Sequence, residues 1–359
     1  ALIPASGQQT YTQTGTGDNN NAFAWEATFD ALATPKTTGD NWDQTVSPGS
    51  NLNDDGAIND IALFVNGRSP AGTQRLRSFV DIGTIGELRI GGEGLAGATG
   101  NTQLQMRGGS SLVVTGTTVL GQVGPCSNGQ RQGQINMNNG TTALALDDVV
   151  SGSTSGGNLL QADTGVPTLT INGDIDTAAA RAAAGVTPAG DDNEIDLRTN
   201  DIDAIVFAGG GQTLNLENFD IVNSGGNRTG SQDVPSGVAI NALQVEVGRS
   251  SNGGTANRTI NGTLNILGGD ISTVNDVRLG HVVSGGGDGN GTHNVNALIE
   301  IGDISGTIGG SLTVGDELRL AHIQDTVNNN DSSTAEVILQ SPGAVLTVND
   351  GLLMGTSVA

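Results

Sequence analysis

The sequence predicts an all-β chain, a right-handed parallel β-helix or β-solenoid with an N-terminal capping or attachment segment. Three observations carry that expectation. A rung-like unit recurs at spacings of 31, 41 and 34 residues. Within each unit apolar and polar residues alternate, as in half-buried strands. Aromatic residues make up only 3% of the chain, too few for the recurring aromatic signature of a propeller blade.

The first repeat is carried by Gln103–Thr115, which recurs at Gln134–Leu146, so that Leu104, Met106 and Gly109 fall on Ile135, Met137 and Gly140. Farther on, Gly269, Val277, Arg278, Leu279 and His281 fall on Gly310, Leu318, Arg319, Leu320 and His322, and Val314 falls on Val348. A constant pattern with variable spacing indicates one structural rung whose loops differ in length. Units of this size cannot each bury a core, but stacked units can.

In chain order, residues 1–56 read as a capping or assembly segment. Tyr11–Asn21 is polar and loop-like, and Trp25 and Trp42 are placed to cover an open first rung. Asp60–Val65 is the first strand, and residues 57–359 form the solenoid, with irregular rungs around 153–242. Leu169-Thr-Ile171, Leu214-Asn-Leu216, Val245-Glu-Val247, Leu264-Asn-Ile266 and Leu318-Arg-Leu320 have period two, the mark of short strands. In the last of these Leu318 and Leu320 face the core and Arg319 faces out. Gly-Gly and Asn-Gly steps supply the corners. Thr177–Ala184 is rich in alanine and ends at Gly185, which predicts a short helical insertion.

Composition excludes several functions. With Lys+Arg 14 against Asp+Glu 37, a net charge of -23 and Lys36 as its one lysine, the chain is not suited to neutralising nucleic-acid phosphates. Cys126 stands alone, so an internal disulfide framework is ruled out. No apolar run approaches the ~20 residues that a membrane-spanning helix needs.

The densest carboxylate cluster is Asp191–Asp203. Asp191, Asp192, Asp196, Asp201 and Asp203 are the candidate calcium ligands, since hard oxygen donors at short spacing suit that ion. Paired carboxylates of the same stretch could serve a glycosidase or lyase. The plain alternative is a strand with Ile195, Leu197, Ile202 and Ala204 inside, and Glu194, Asp196, Arg198, Asp201 and Asp203 on a solvated face. Asn51–Asp60 reads as Asn/Asp turn chemistry. His281 and His322 share a repeat position, as do Arg278 and Arg319. That pattern fits a metal-binding histidine ladder, a cationic stripe for an acidic ligand, or stacking of equivalent positions without function. His293 follows a Gly-rich run, Gly285–Thr292, and is expected to be exposed. No Gly-x-Ser-x-Gly elbow, phosphate-cradling Gly-Lys-Ser/Thr loop or His-Glu-x-x-His is present. The chain is therefore read as a non-enzyme that requires no cofactor, with calcium as the one ion considered.

Asn41-Trp-Asp, Pro48-Gly, Asn59-Asp-Ile-Ala-Leu-Phe, Ile85–Gly92 and Gly108-Gly-Ser-Ser-Leu-Val-Val resemble secreted bacterial β-solenoid proteins. These are autotransporter-type passenger repeats and surface proteins with Pro-Glu-Pro sorting tails. The resemblance covers roughly residues 40–121 and 243–355 and implies architecture and an extracellular, cell-surface location. The expected function is a secreted structural protein that assembles head-to-tail with copies of itself into a filament or coat. In that picture Gln8–Gly15, strand-forming but without a partner of its own, pairs with the last rung of the next copy, because Val345–Ala359 still lies inside a rung. Two other functions stand beside it: a polysaccharide-acting β-helix enzyme, and an adhesive passenger that contacts carbohydrate or a cell surface.

Overall fold

Apolar residues two apart can share one face of a strand, and equal residues one repeat apart can stack if the strands run parallel. The structure, a computed structural model, takes that form. It describes residues 10–12, 23–24, 61–65, 74–92, 102–121, 132–152, 157–186, 194–250, 257–283, 291–324 and 331–355. Trp25, Trp42, Lys36, Cys126, Asp191, Asp192 and the Asn51–Asp60 loop lie outside these residues. The chain is all-β with long parallel sheets, and Ala178–Ala183 is the one helix among the described residues. None of its helices is long and apolar enough to cross a membrane, among the described residues. Two compact units divide the chain, Ala1–Ile195 and Asp196–Ala359.

In the first unit three parallel ladders rise together. One runs Thr10–Thr12, Ile61–Val65, Glu87–Gly92, Thr118–Leu120 and Val149–Ser151. The second runs Phe23–Ala24, Gln74–Ser78, Thr102–Met106, Gly133–Met137 and Asn158–Ala162. The third contains Asp81–Ile85, Ser111–Val114, Thr141–Leu146 and Val166–Ile171. The sequence repeat is the pairing register: Leu104 lies beside Ile135 and Met106 beside Met137. Leu112, Leu144 and Leu169 stack likewise, and all of these side chains are at most 1% exposed. The expected helix forms. Thr177 Oγ1 accepts from Ala180 N at 3.2 Å, and Gly185 closes the helix at φ +68. Ala180 and Val186 then pack on Val119 and Val150. Thr10–Thr12 pairs in parallel with Ile61–Leu63, so the N-terminal segment has a partner within its own chain. The expectation that it lacked one is corrected here. Its Thr-Tyr-Thr residues suit a strand, and the edge of Ile61–Leu63 offers the unpaired backbone groups that a strand needs.

In the second unit one ladder joins Ile195–Thr199, Gln212–Ser224 and Val238–Ser250. It continues along two parallel lines of shorter strands, Asp270–Thr273, Gly310–Val314 and Ala344–Val348 in one and Val277–Val283, Glu317–Leu320 and Gly351–Met354 in the other. A four-stranded sheet holds Arg228–Pro235, Arg258–Leu267, His293–Ile301 and Ser332–Leu339. Leu214 stacks on Ile240, Phe219 on Val245 and Ile221 on Val247, so part of the stretch around 153–242 is a long regular ladder. Leu318 is 2% exposed, as expected, whereas Leu320 is only half-buried. Met354, its neighbour on the next strand, is itself 68% exposed and gives it little cover.

From Gln212–Ser224 onward, the rungs of this ladder bend at a left-handed residue. Val222, Gly248, Gly280, Ala321 and Gly355 have φ of 57, 68, 66, 55 and 62°, and the pairing register places them in one column. Small residues face that bend: Gly230, Gly262, Ala297 and Ala335 are in register on the four-stranded sheet. A Cβ at Gly262 would lie 2.7 Å from Gly248 N, a backbone atom that cannot swing aside. The close approach of the two strands therefore requires glycine at 262.

Candidate functional site

Among the described residues 194–203, the acidic side chains do not converge. Strand alternation holds from Ile195 to Thr199, with Ile195 and Leu197 fully buried, and Ala204 is 2% exposed. It breaks at the turn that follows, where Asp203 sits at φ +47. Ile202, expected inside, is therefore 60% exposed. Glu194, expected in solvent, is 7% exposed, because its carboxylate accepts from Ser151 Oγ at 2.8 Å and Asn158 Nδ2 in turn donates to Ser151 Oγ at 2.8 Å. The three described calcium candidates have different donors. Asp196 Oδ1 accepts from Asn218 Nδ2 at 2.7 Å, Asp201 Oδ1 from Ile202 N at 2.8 Å, and Asp203 Oδ1 from Ser231 Oγ at 2.9 Å. Among the described residues no group of three or more His, Cys, Asp or Glu side chains is placed to hold a metal ion.

What does converge is a column of charges on the outward positions of the second unit's main ladder. Arg198, Asp220, Glu246, Arg278 and Arg319 are successive register partners. Asp220 is 3% and Glu246 1% exposed, a burial that carboxylates tolerate only when paired. Arg198 Nη2 reaches Asp220 Oδ2 at 2.9 Å, and Arg249 Nη1 reaches Glu246 Oε2 at 3.0 Å. Asp276, 4% exposed, lies between Arg278 at 3.0 Å and Arg319 at 3.2 Å, and Arg319 also reaches Glu317 at 2.8 Å. Adjacent like charges thus have an opposite charge beside them.

Electrostatics differ along the column. Burial pushes the Asp220 carboxyl up, against the pull of Arg198. Burial also pushes Asp196 up, to about 6, helped by Asp220 and Glu217 and opposed by Asn218 and Arg198. At Glu246 burial again pushes upward, but the hydrogen bond from His281 and the charge of Arg249 outweigh it and hold the carboxyl low. A carboxyl raised in the fold binds its proton more tightly there than in the unfolded chain. Its contribution to stability is thus fully present below the unfolded value of 3.8 and lost as pH rises through about 6. Asn at 196 keeps an acceptor for Asn218 and never ionises. Asp196→Asn is expected to gain on the parent chain by roughly 1–3 kcal/mol between pH 4 and pH 7, at about 1.4 kcal/mol per pKa unit. Parallel urea-unfolding curves for the two proteins across that range would contradict it.

The histidines separate. His293, expected in an exposed loop, starts a strand and is 3% exposed, so that expectation is corrected. Two contacts hold it: its backbone N–H donates to Asp331 Oδ1 at 2.7 Å, and its Nδ1 lies 3.1 Å from Ser250 Oγ. His281 is 3% exposed, with Nδ1 2.6 Å from Glu246 Oε1. Its ring centre lies 5.2 Å from that of His322. Burial, then His281, Arg319 and Arg278, pull the half-buried His322 below the usual histidine range.

A second feature lies on the four-stranded sheet. A groove of about 470 Å³ is lined by Asn261, Thr263, Asn296, Leu298, Thr334 and Glu336, among others. Amides and hydroxyls link its rungs: Asn261 Nδ2 donates to Thr229 Oγ1 at 3.0 Å, Asn296 Nδ2 to Asn261 Oδ1 at 2.8 Å, and Thr334 Oγ1 to Asn296 Oδ1. Sequence reasoning singled out Arg278, Arg319, His281 and His322 but missed Asp220, Glu246 and Asp276. The signal for two of these was present, since Phe219-Asp-Ile221 and Val245-Glu-Val247 put an acid between two core residues at equivalent positions. Family models, curated proteins and solved structures yield no match to this chain.

Proposed function

We propose that this is a structural, non-enzymatic protein of the cell exterior, a right-handed parallel β-solenoid that stacks with copies of itself into a filament or coat. One observation carries the reading. Among the described residues, charged and amide side chains on the outward faces are engaged with neighbours on their own rung, as in Arg249 with Glu246, or on the adjacent one, as in Arg198 with Asp220 and Asn296 with Asn261, so these groups are engaged with one another instead of converging on a substrate. The likeness of its repeat motifs to secreted bacterial solenoid proteins supports the extracellular part, with residues 1–56 as a cap.

The self-assembly part rests on the apolar positions of the last strands. Leu339 and Leu352 stack on buried Ile301 and Leu318, yet are 50% and 55% exposed, and Met354 is 68% exposed. A further rung in the same register would bury them and pair with Gly351–Met354, and the self-assembly reading is that a second copy provides it. Because Thr10–Thr12 is already paired in cis, the contact is stacking of edge on edge and not exchange of an N-terminal strand. Leu352→Asp with Met354→Asp should leave a folded monomer where the parent chain polymerises. A parent chain that stays monomeric by light scattering at high concentration would overturn this.

Calcium along Asp191, Asp192, Asp196, Asp201 and Asp203 belongs to the same reading and predicts a higher melting temperature in millimolar Ca²⁺ than in EDTA at matched ionic strength. Equal temperatures would remove it. The groove over Asn261, Asn296 and Thr334 favours a second reading, an adhesive module that contacts a surface glycan. Saturable binding of a soluble glycan, abolished by Asn296→Leu, would decide for that one.

A further inference from the structure

The geometry points to a binding site for a first-row transition-metal ion, with His281 and His322 as its two protein ligands and Glu246 holding the first of them in position. Glu246 is an acceptor-only carboxylate, held ionised by Arg249 and by His281 itself, so the 2.6 Å contact fixes the proton of His281 on Nδ1. In the neutral ring Nε2 then carries the lone pair. Nε2 has no hydrogen-bond partner, although the His281 side chain is only 4% exposed. A buried ring nitrogen without a partner carries a desolvation cost, and a bound cation would remove it.

The position of the second ring suits the same purpose. Glu246 lies on the rung before His281, and His322 on the rung after it, where its carbonyl accepts from Val282 N at 2.9 Å. With Nδ1 committed to the preceding rung, Nε2 is on the side of the ring turned away from it. The ring centres are 5.2 Å apart and the planes inclined at 50°. Two imidazoles that share one ion at about 2.0–2.1 Å, at a near-tetrahedral angle, bring their centres to roughly 5 Å. A carboxylate that accepts from the far nitrogen of a ligating histidine is the usual outer-shell arrangement, and it fixes both tautomer and ring orientation.

Charge does not forbid a cation here. Arg249, Arg278 and Arg319 are matched by Glu246, Asp276 and Glu317, each within an ion pair. His322 is half-buried, which leaves a route for the ion and room for water to complete its coordination. Imidazole donors select zinc, copper or nickel over calcium or magnesium. The site is therefore distinct in chemistry from the carboxylates of 191–203.

The test is calorimetric titration of metal-free, full-length protein with Zn²⁺, Ni²⁺ and Cu²⁺ in a non-coordinating buffer. One ion per chain should bind saturably, and Ca²⁺ in excess should not compete. His322→Gln, a change at a half-buried position, should weaken binding at least about tenfold. Glu246→Gln keeps the shape but loses the charge, and should weaken it by about 10–100-fold without changing the stoichiometry. Nitrogen hyperfine structure in the Cu²⁺ spin-resonance spectrum should be lost or reduced in His322→Gln. His293→Gln, a change at the third histidine, should leave affinity unaltered. No saturable binding of any of the three ions at millimolar concentration would overturn the proposal. So would affinity that survives His322→Gln, or affinity that depends on His293 instead.

Discussion

Arg181→Ala is expected to lower stability by about 3–5 kcal/mol, because it leaves a buried carboxylate without its counter-charge. Asp176 is 1% and Arg181 4% exposed. The guanidinium holds the carboxylate by a hydrogen bond from Nε to Oδ1 at 2.8 Å and an ion-pair contact between Nη2 and Oδ2 at 2.7 Å. Asp176 Oδ1 also accepts from Ser151 N at 2.8 Å, and its backbone is left-handed at φ +54. The pair thus ties the short helix to the strand Val149–Ser151, against which Ala180 and Val186 pack. Adding Asp176→Asn to Arg181→Leu should restore part of the loss, since no charge is then left buried. Urea unfolding measures both. A loss below about 1 kcal/mol for Arg181→Ala would show that water reaches Asp176.

Phe219→Ala should cost about 3–5 kcal/mol, the transfer free energy of a phenyl group plus the cavity it leaves. Among the described residues Phe219 is the bulkiest fully buried side chain. It stacks between Leu197 on the preceding rung and Val245 on the following one. Strands at ladder spacing cannot close over a missing ring without losing the backbone hydrogen bonds on both sides. Phe219→Leu keeps most of the volume and should cost under about 1.5 kcal/mol. Ile304, 92% exposed, provides the comparison: Ile304→Ser should stay within about 0.5 kcal/mol. If Phe219→Ala proved as mild as Ile304→Ser, the inward assignment of Phe219 would be wrong.

The repeat spacings were already the pairing registers, which is why so much of the ladder could be read in advance. Leu104 beside Ile135 and Val277 beside Leu318 follow from the rule that equivalent residues stack when equal rungs lie parallel. The helix was legible for a local reason, since Thr177, the alanine run and Gly185 are its own start, body and stop.

Failures came where a residue's neighbours are remote in sequence or where the backbone leaves regular geometry. Ile202 keeps the period of its strand on paper, but the turn at Asp203 rotates it to solvent. Glu194 and His293 look solvated, yet Ser151 lies 43 residues from the first and Ser250 43 from the second. Val222 and Ala321 occupy a left-handed bend that neither residue type announces. The same limit applies to the charged column and to His281 with His322. Their shared repeat position could be read from the spacing alone, and so could the all-β parallel-sheet class. The distances among Glu246, Arg249, His281 and His322, and the burial of Glu246 and His281, came from the tertiary structure. Periodicity records which faces are apolar, whereas the environment of a polar group depends on what the rungs above and below bring within a few ångströms of it.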